Sequence, residues 1–170
     1  TIVADGATAT SATHSIDGGA GADTITGGTG AETISGGAGA DSIVGVSGND
    51  SLVGGAGNDT FNFAAADGLT ADDTVDGGDG TDTVIASDID SNYSGTLTNV
   101  EVLTLDFGTS GTTFSVANAA GATTITATGD AAGRTATLGA LADGTTVKLA
   151  DDNLVATLDT VADANLTVDL

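Results

Sequence analysis

Two periodicities of apolar residues run along this chain, and neither has the beat of about 3.6 residues that marks an amphipathic helix. In residues 18–62 one large apolar side chain recurs every nine residues, as Ile25, Ile34, Ile43, Leu52 and Phe61. Each stands in the middle of a short run such as TIT, SIV or TFN, and glycine-rich stretches of six residues separate the runs. A strand of three residues points its middle side chain to one side and its neighbours to the other. Glycine supplies the positive φ that tight turns require. Two nines therefore make one flattened coil, and units 18 residues apart stack. The predicted inward ladders are Ile16, Ile34 and Leu52 on one sheet, and Ile25, Ile43 and Phe61 on the other.

From Thr83 the glycine turns stop and a longer period takes over. Leu103, Ile125, Val147 and Val168 recur at 22, 22 and 21 residues, each inside a β-rich run (VLTL, TTITAT, TTVKL, LTVDL). A second series lies between them near Val116, Leu138 and Val155 to Leu158. Two strands per period is again the arithmetic of a solenoid, with wider turns. The predicted layout is a lead-in coil over 1–17, a glycine-turn roll over 18–85 interrupted by a longer turn at 63–76, and a Thr/Ala/Val-rich β-solenoid continuation over 86–170. Seven short strands also satisfy a β-sandwich, which stands as the alternative for the second half.

The polar positions of the nines carry the chemistry. Read in register the units are GGAGADTIT, GGTGAETIS, GGAGADSIV, GVSGNDSLV and GGAGNDTFN, with a sixth, GGDGTDTVI, starting at Gly77. Stacking places Asp23, Asp41 and Asp59 in one column and Glu32 and Asp50 in another. Neighbouring strands lie about 4.8 Å apart, where two bare carboxylates repel by roughly 1 kcal/mol even in water. A hard cation between them reverses the sign. A donor set of carboxylates and turn carbonyls, all oxygen, suits calcium better than zinc or copper.

This nonapeptide resembles the RTX repeat of calcium-binding parallel β-rolls, in which turn carbonyls and the sixth-position Asp hold Ca2+ between coils. The resemblance implies several calcium ions, with ligands from Asp23, Asp41, Asp50, Asp59 and Asp82 and from the turn carbonyls of Gly19, Gly21, Gly37, Gly39, Gly55 and Gly57. Glu32 and Val46 depart from the pattern, and the longer arm of Glu32 bears on the site it would share with Asp50. Asp59 and Asp82 are 23 residues apart rather than 18. Asp67, Asp72 and Asp73 in that enlarged turn, and Asp79 in the sixth turn, either build a variant calcium site opposite Asp50 or form a solvated loop. Asp76, directly before Gly77, reads as turn chemistry. The Asp151–Asp152 pair in the second half could hold another ion.

Composition narrows the function classes. The formal charge is −22, from 24 acids against Arg134 and Lys148 alone. Such a surface repels nucleic acid and anionic membrane, and no stretch is apolar for long enough to cross a bilayer as a helix. Thirty Thr with four Phe, one Tyr and no Trp favour thin stacked sheets over a thick core. Without calcium the expected state of the repeats is disordered, so that metal binding and folding are one event. There is no Cys to form a disulfide framework. His14, the only histidine, falls where an acid would stand in the unit before the first intact one, and is read as part of a cap needing no ion. It lacks the partners of a nucleophilic triad, so no enzymatic activity is expected.

Glycine turns followed by Thr/Val/Ala-rich solenoid are similar to RTX-type bacterial S-layer proteins and surface adhesins. That resemblance implies a secreted, calcium-dependent structural protein of the cell surface that assembles with copies of itself into a layer or filament. The alternative is the non-catalytic folding module of a type I secreted hydrolase, toxin or adhesin, which leaves the cell with an uncleaved C-terminal signal. Thr1 is neither an initiator Met nor the start of a secretory signal, and the expectation is a processed chain or a piece of a longer one. The chain stops at Leu170 in a predicted strand, so more chain or another subunit is expected to cover that end. An anchor to a cell-surface glycan would use parts outside residues 1–170.

Overall fold

The computed structural model describes residues 1–3, 14–63, 69–70, 72–87, 95–107, 119, 121–129, 134–141, 144–150, 154–160 and 167–169. Among these there is no helix, and every strand pairing is parallel. One sheet has nine strands: β1 (Ile2–Val3), β3 (Thr24–Thr26), β5 (Ser42–Val44), β7 (Thr60–Phe63), β9 (Thr83–Ala86), β11 (Val102–Phe107), β12 (Thr124–Gly129), β14 (Thr146–Leu149) and β16 (Thr167–Asp169). A second has five: β2 (His14–Ala20), β4 (Glu32–Ala38), β6 (Ser51–Ala56), β8 (Thr74–Asp79) and β10 (Thr96–Thr98). A third pairs β13 (Arg134–Leu141) with β15 (Leu154–Thr160). The chain is a β-solenoid, consistent with a β-roll in its repeat half.

The register is the one that the apolar periods predict. Ile16, Ile34 and Leu52 pair in one sheet, and Ile25, Ile43 and Phe61 in the other. The second column runs on through Val84, Leu103, Ile125 and Val147 to Val168 in unbroken parallel register. Each of its members from Ile25 to Val147 is fully buried. A shorter inward column of Phe63, Ala86, Leu105 and Ala127 flanks it, and both belong to one apolar core. The β-sandwich alternative is therefore excluded: β11, β12, β14 and β16 extend the same sheet that begins in the glycine-turn coils, and β13–β15 form a further parallel pair. The predicted strand near Val116 lies outside the described residues.

The turns depend on backbone geometry that only glycine adopts freely. In the third unit Gly37 and Gly39 have φ of 107° and 132°, and their equivalents in the first, fifth and sixth units repeat it. Val46 occupies the second position of the fourth unit, has φ of 84° and is exposed. A β-branched residue in that region is strained, by about 1–2 kcal/mol for the left-handed backbone. Val46→Gly is therefore expected to stabilise the calcium-loaded protein by about 1 kcal/mol, after the entropy of the added glycine is subtracted. Thermal unfolding in calcium checks this; an unchanged or lower Tm would show that the turn carries no strain.

Candidate metal centre

From β3 to β9 each corner into a strand carries one acidic residue, and with Glu101 before β11 these acids form two columns along the solenoid. The first contains Asp23, Asp41, Asp59, Asp82 and Glu101; the second contains Glu32, Asp50 and Asp73. In both, the carboxylate of one coil accepts the backbone N–H of the acid one coil earlier. Asp41 Oδ1 accepts from Asp23 at 2.7 Å, Asp59 Oδ1 from Asp41 at 2.8 Å, Asp82 Oδ1 from Asp59 at 2.7 Å and Glu101 Oε2 from Asp82 at 2.8 Å. In the second column Asp50 Oδ1 accepts from Glu32 at 2.9 Å and Asp73 Oδ1 from Asp50 at 2.8 Å. Apart from the first acid of each column, the stacked acids are thus not bare facing carboxylates, because one oxygen of each is held by an N–H.

The other oxygen distinguishes the columns. Asp41 Oδ2, Asp59 Oδ2 and Asp82 Oδ2 are buried and have no hydrogen-bond partner. In the second column the end members are satisfied within the protein. Glu32 Oε2 accepts the Gly28 N–H at 3.2 Å, and Glu32 Oε1 lies 3.4 Å from His14 Nδ1. Asp73 Oδ2 accepts the Thr70 N–H at 2.6 Å and its hydroxyl at 3.0 Å. The longer arm of Glu32 thus reaches back into its own turn, where Gly28 and Gly30 are outside the positive-φ region used by the other units.

The first glycine of the third, fifth and sixth units faces the free oxygen. A Cβ on Gly36 would strike both Asp41 Oδ2 and the Gly54 carbonyl of the next coil. A Cβ on Gly54 would meet Asp59 Oδ2 and the Gly77 carbonyl, and one on Gly77 would meet Asp82 Oδ2 and the Asn99 carbonyl. A missing side chain thus leaves a cradle where carboxylate and carbonyl oxygens converge. The second- and fourth-position carbonyls of Gly19, Gly37 and Gly55, and of Gly21, Gly39 and Gly57, lie against the glycines of the following coil. No three His, Cys, Asp or Glu side chains cluster for a metal among the described residues. Any cation held here would take most of its ligands from carbonyls and water. Calcium tolerates that set, with six to eight oxygens in flexible geometry, and an orphaned buried carboxylate oxygen calls for a positive partner.

Charge state agrees with this demand. Burial pushes the Asp50 carboxyl from 3.8 up to about 6; the nearby Glu32 and Asp73 charges add to the shift, and the Glu32 N–H opposes it. Burial likewise raises Asp59 and Asp82, against the lowering effect of the Asp41 and Asp59 N–H groups respectively.

The remaining predicted residues separate clearly. Asp73 is buried within the second column, whereas Asp72 beside it is exposed in a turn. Asp79 is exposed on its side chain and uses its carbonyl to accept the Gly57 N–H at 2.8 Å. Asp76 lies within β8 rather than in a turn, and accepts from the Asn99 side chain of the next coil at 2.8 Å. Asp67 and the Asp151–Asp152 pair lie outside the described residues. His14 stands in register with Glu32 at the head of the second column. Sequence reasoning missed Glu101. Its signal was its place directly before the VLTL strand, the place each repeat acid holds before its own strand.

A family model described as the RTX calcium-binding nonapeptide repeat (4 copies) matches residues 15–43, 35–67 and 65–88. No curated protein matches the chain.

Proposed function

With residues 15–88 being RTX calcium-binding repeats on a β-solenoid, we propose that the chain is a calcium-stiffened structural element of the bacterial cell surface that assembles with copies of itself into a layer or filament. Repeats of this kind belong to secreted bacterial proteins, and as a module type they are non-catalytic. The observation that carries the proposal is the continuity of the nine-stranded sheet from β1 to β16. Coils fixed by calcium lead directly, in parallel register, into coils without glycine turns. The repeats then template a rod rather than ending a separate domain. The charge of −22 with two basic residues supports assembly in which calcium also sits between copies, since bare copies repel. The proposed ligands are Asp41, Asp59 and Asp82 with their cradle carbonyls, and Asp23 and Asp50 beside them.

Sedimentation velocity in millimolar calcium and in excess chelator tests this. The expected result is a slow, expanded monomer in chelator and very large particles in calcium. A compact particle that stays monomeric in calcium would overturn self-assembly and favour the second reading, a folding module of a larger secreted protein.

A further inference from the structure

We propose that the calcium column extends one coil beyond the repeats, into a junction site made by Asp82 Oδ2 and the Asn99 carbonyl and electrostatically completed by Glu101. The inference rests on the reading of the repeats as calcium sites, but Asn99 and Glu101 lie outside the residues that match the repeat family.

Three observations carry it. First, the Asp82 side chain is fully buried, its Oδ2 has no partner, and that oxygen is aimed at the bare face of Gly77. Second, the register of β8 with β10 sets Asn99 one step beyond the pairing of Thr98 with Asp76, opposite Gly77. Its carbonyl reaches the same bare face. Asn99 thereby supplies what the first glycine of the next repeat supplies elsewhere, as Gly54 does for Asp41 and Gly77 does for Asp59. Its φ of 51° is left-handed, which Asn tolerates better than most residues, and its side chain is tied to Asp76 at 2.8 Å. Third, Glu101 Oε2 accepts the Asp82 N–H at 2.8 Å, continuing the carboxylate ladder where the repeat motif has ended.

The column changes chemistry immediately afterwards. In register with Glu101 in the next two coils stand Thr123 and Thr145. The Thr123 hydroxyl donates to the Glu101 carbonyl at 3.3 Å, and the Thr145 hydroxyl donates to the Ala122 carbonyl at 3.0 Å. A neutral donor facing a carbonyl needs no cation. The Asn99–Glu101 turn is therefore the terminal coordinating turn, where ion-bridged coils pass to hydroxyl-bridged ones.

Calcium titration of the full chain followed by carbonyl 13C NMR tests the site, the response of a carbonyl being its shift in excess of that of Leu97 and Leu52, strand carbonyls that move with folding alone. The Asn99 carbonyl is expected to shift with calcium, alongside the Gly54 carbonyl of the repeat interior. Asp82→Asn should abolish the Asn99 response and leave that of Gly54. Glu101→Gln keeps an acceptor for the Asp82 N–H, and should raise the calcium midpoint at Asn99 roughly fivefold or more through loss of one nearby charge, with Gly54 unchanged. If Gly54 responds and Asn99 does not, the junction site is overturned while the repeat reading stands. If neither responds, both fall.

Discussion

Withdrawal of calcium at pH 7.5 is expected to cost the chain most of its β-structure. Glu32, Asp41, Asp50, Asp59, Asp73 and Asp82 are all buried, and three of them hold an unpartnered oxygen. An uncompensated buried charge costs several kcal/mol, whereas a whole domain is stable by only about 5–15 kcal/mol. Metal-free folding with these groups ionised does not close. Far-UV circular dichroism in chelator should show loss of the β signal, and millimolar calcium should restore it. A chelated chain that keeps its full signal at pH 7.5 would end the calcium account.

The pH dependence of the metal-free chain has an unusual sign. Asp50 titrates near 6 when folded against 3.8 otherwise, and Asp59 and Asp82 are raised as well. Between those values the folded form binds more protons than the unfolded form, so stability falls as pH rises. Acidification of the chelated chain from pH 7.5 to about 4.5 should then regain β signal, where ordinary acid denaturation would lose it. In calcium the same protons compete with the ion, and the calcium midpoint should rise as pH falls through about 6.

Gly54→Ala should strike the cation cradle directly. The added Cβ meets Asp59 Oδ2 and the backbone carbonyl of Gly77. The carboxylate is already fixed through Oδ1 to the Asp41 N–H, so neither oxygen yields without breaking the ladder. Overpacking alone costs about 1–3 kcal/mol; loss of the cation site adds to it, for an expected total of at least ~3 kcal/mol in calcium. Gly121→Ala is the control, since its nearest neighbour would be an ordinary 3.5 Å away. Urea unfolding of both in calcium compares them, and equal midpoints would mean that the cradle of Gly54 is not filled.

The ladders were legible because stacked coils convert a sequence period into a register with no freedom left. Ile25, Ile43 and Phe61 announce one sheet, and the 22-residue spacing of Leu103, Ile125 and Val147 announces its continuation. The acids were legible as columns, but the state of each oxygen was not. Whether a carboxylate is free depends on local backbone choices, such as the turn that lets the Gly28 N–H reach Glu32 or the Thr70 group that closes on Asp73. Glu101 escaped notice because its turn has lost the glycines. Only the pairing of Val102 with Thr83 places it over Asp82.

The carboxylate ladder also has a direction. Every bond of the ladder secures the N–H of the coil before, never of the coil after, from Asp23 held by Asp41 to Asp82 held by Glu101. A coil is therefore finished by chain that is synthesised later. A chain leaving a narrow channel with its N-terminus first cannot lock its leading coil until the following acid has emerged. A lesion at one acid, likewise, opens the coil behind it and leaves its own N–H bonded. Errors in such a rod travel toward the N-terminus.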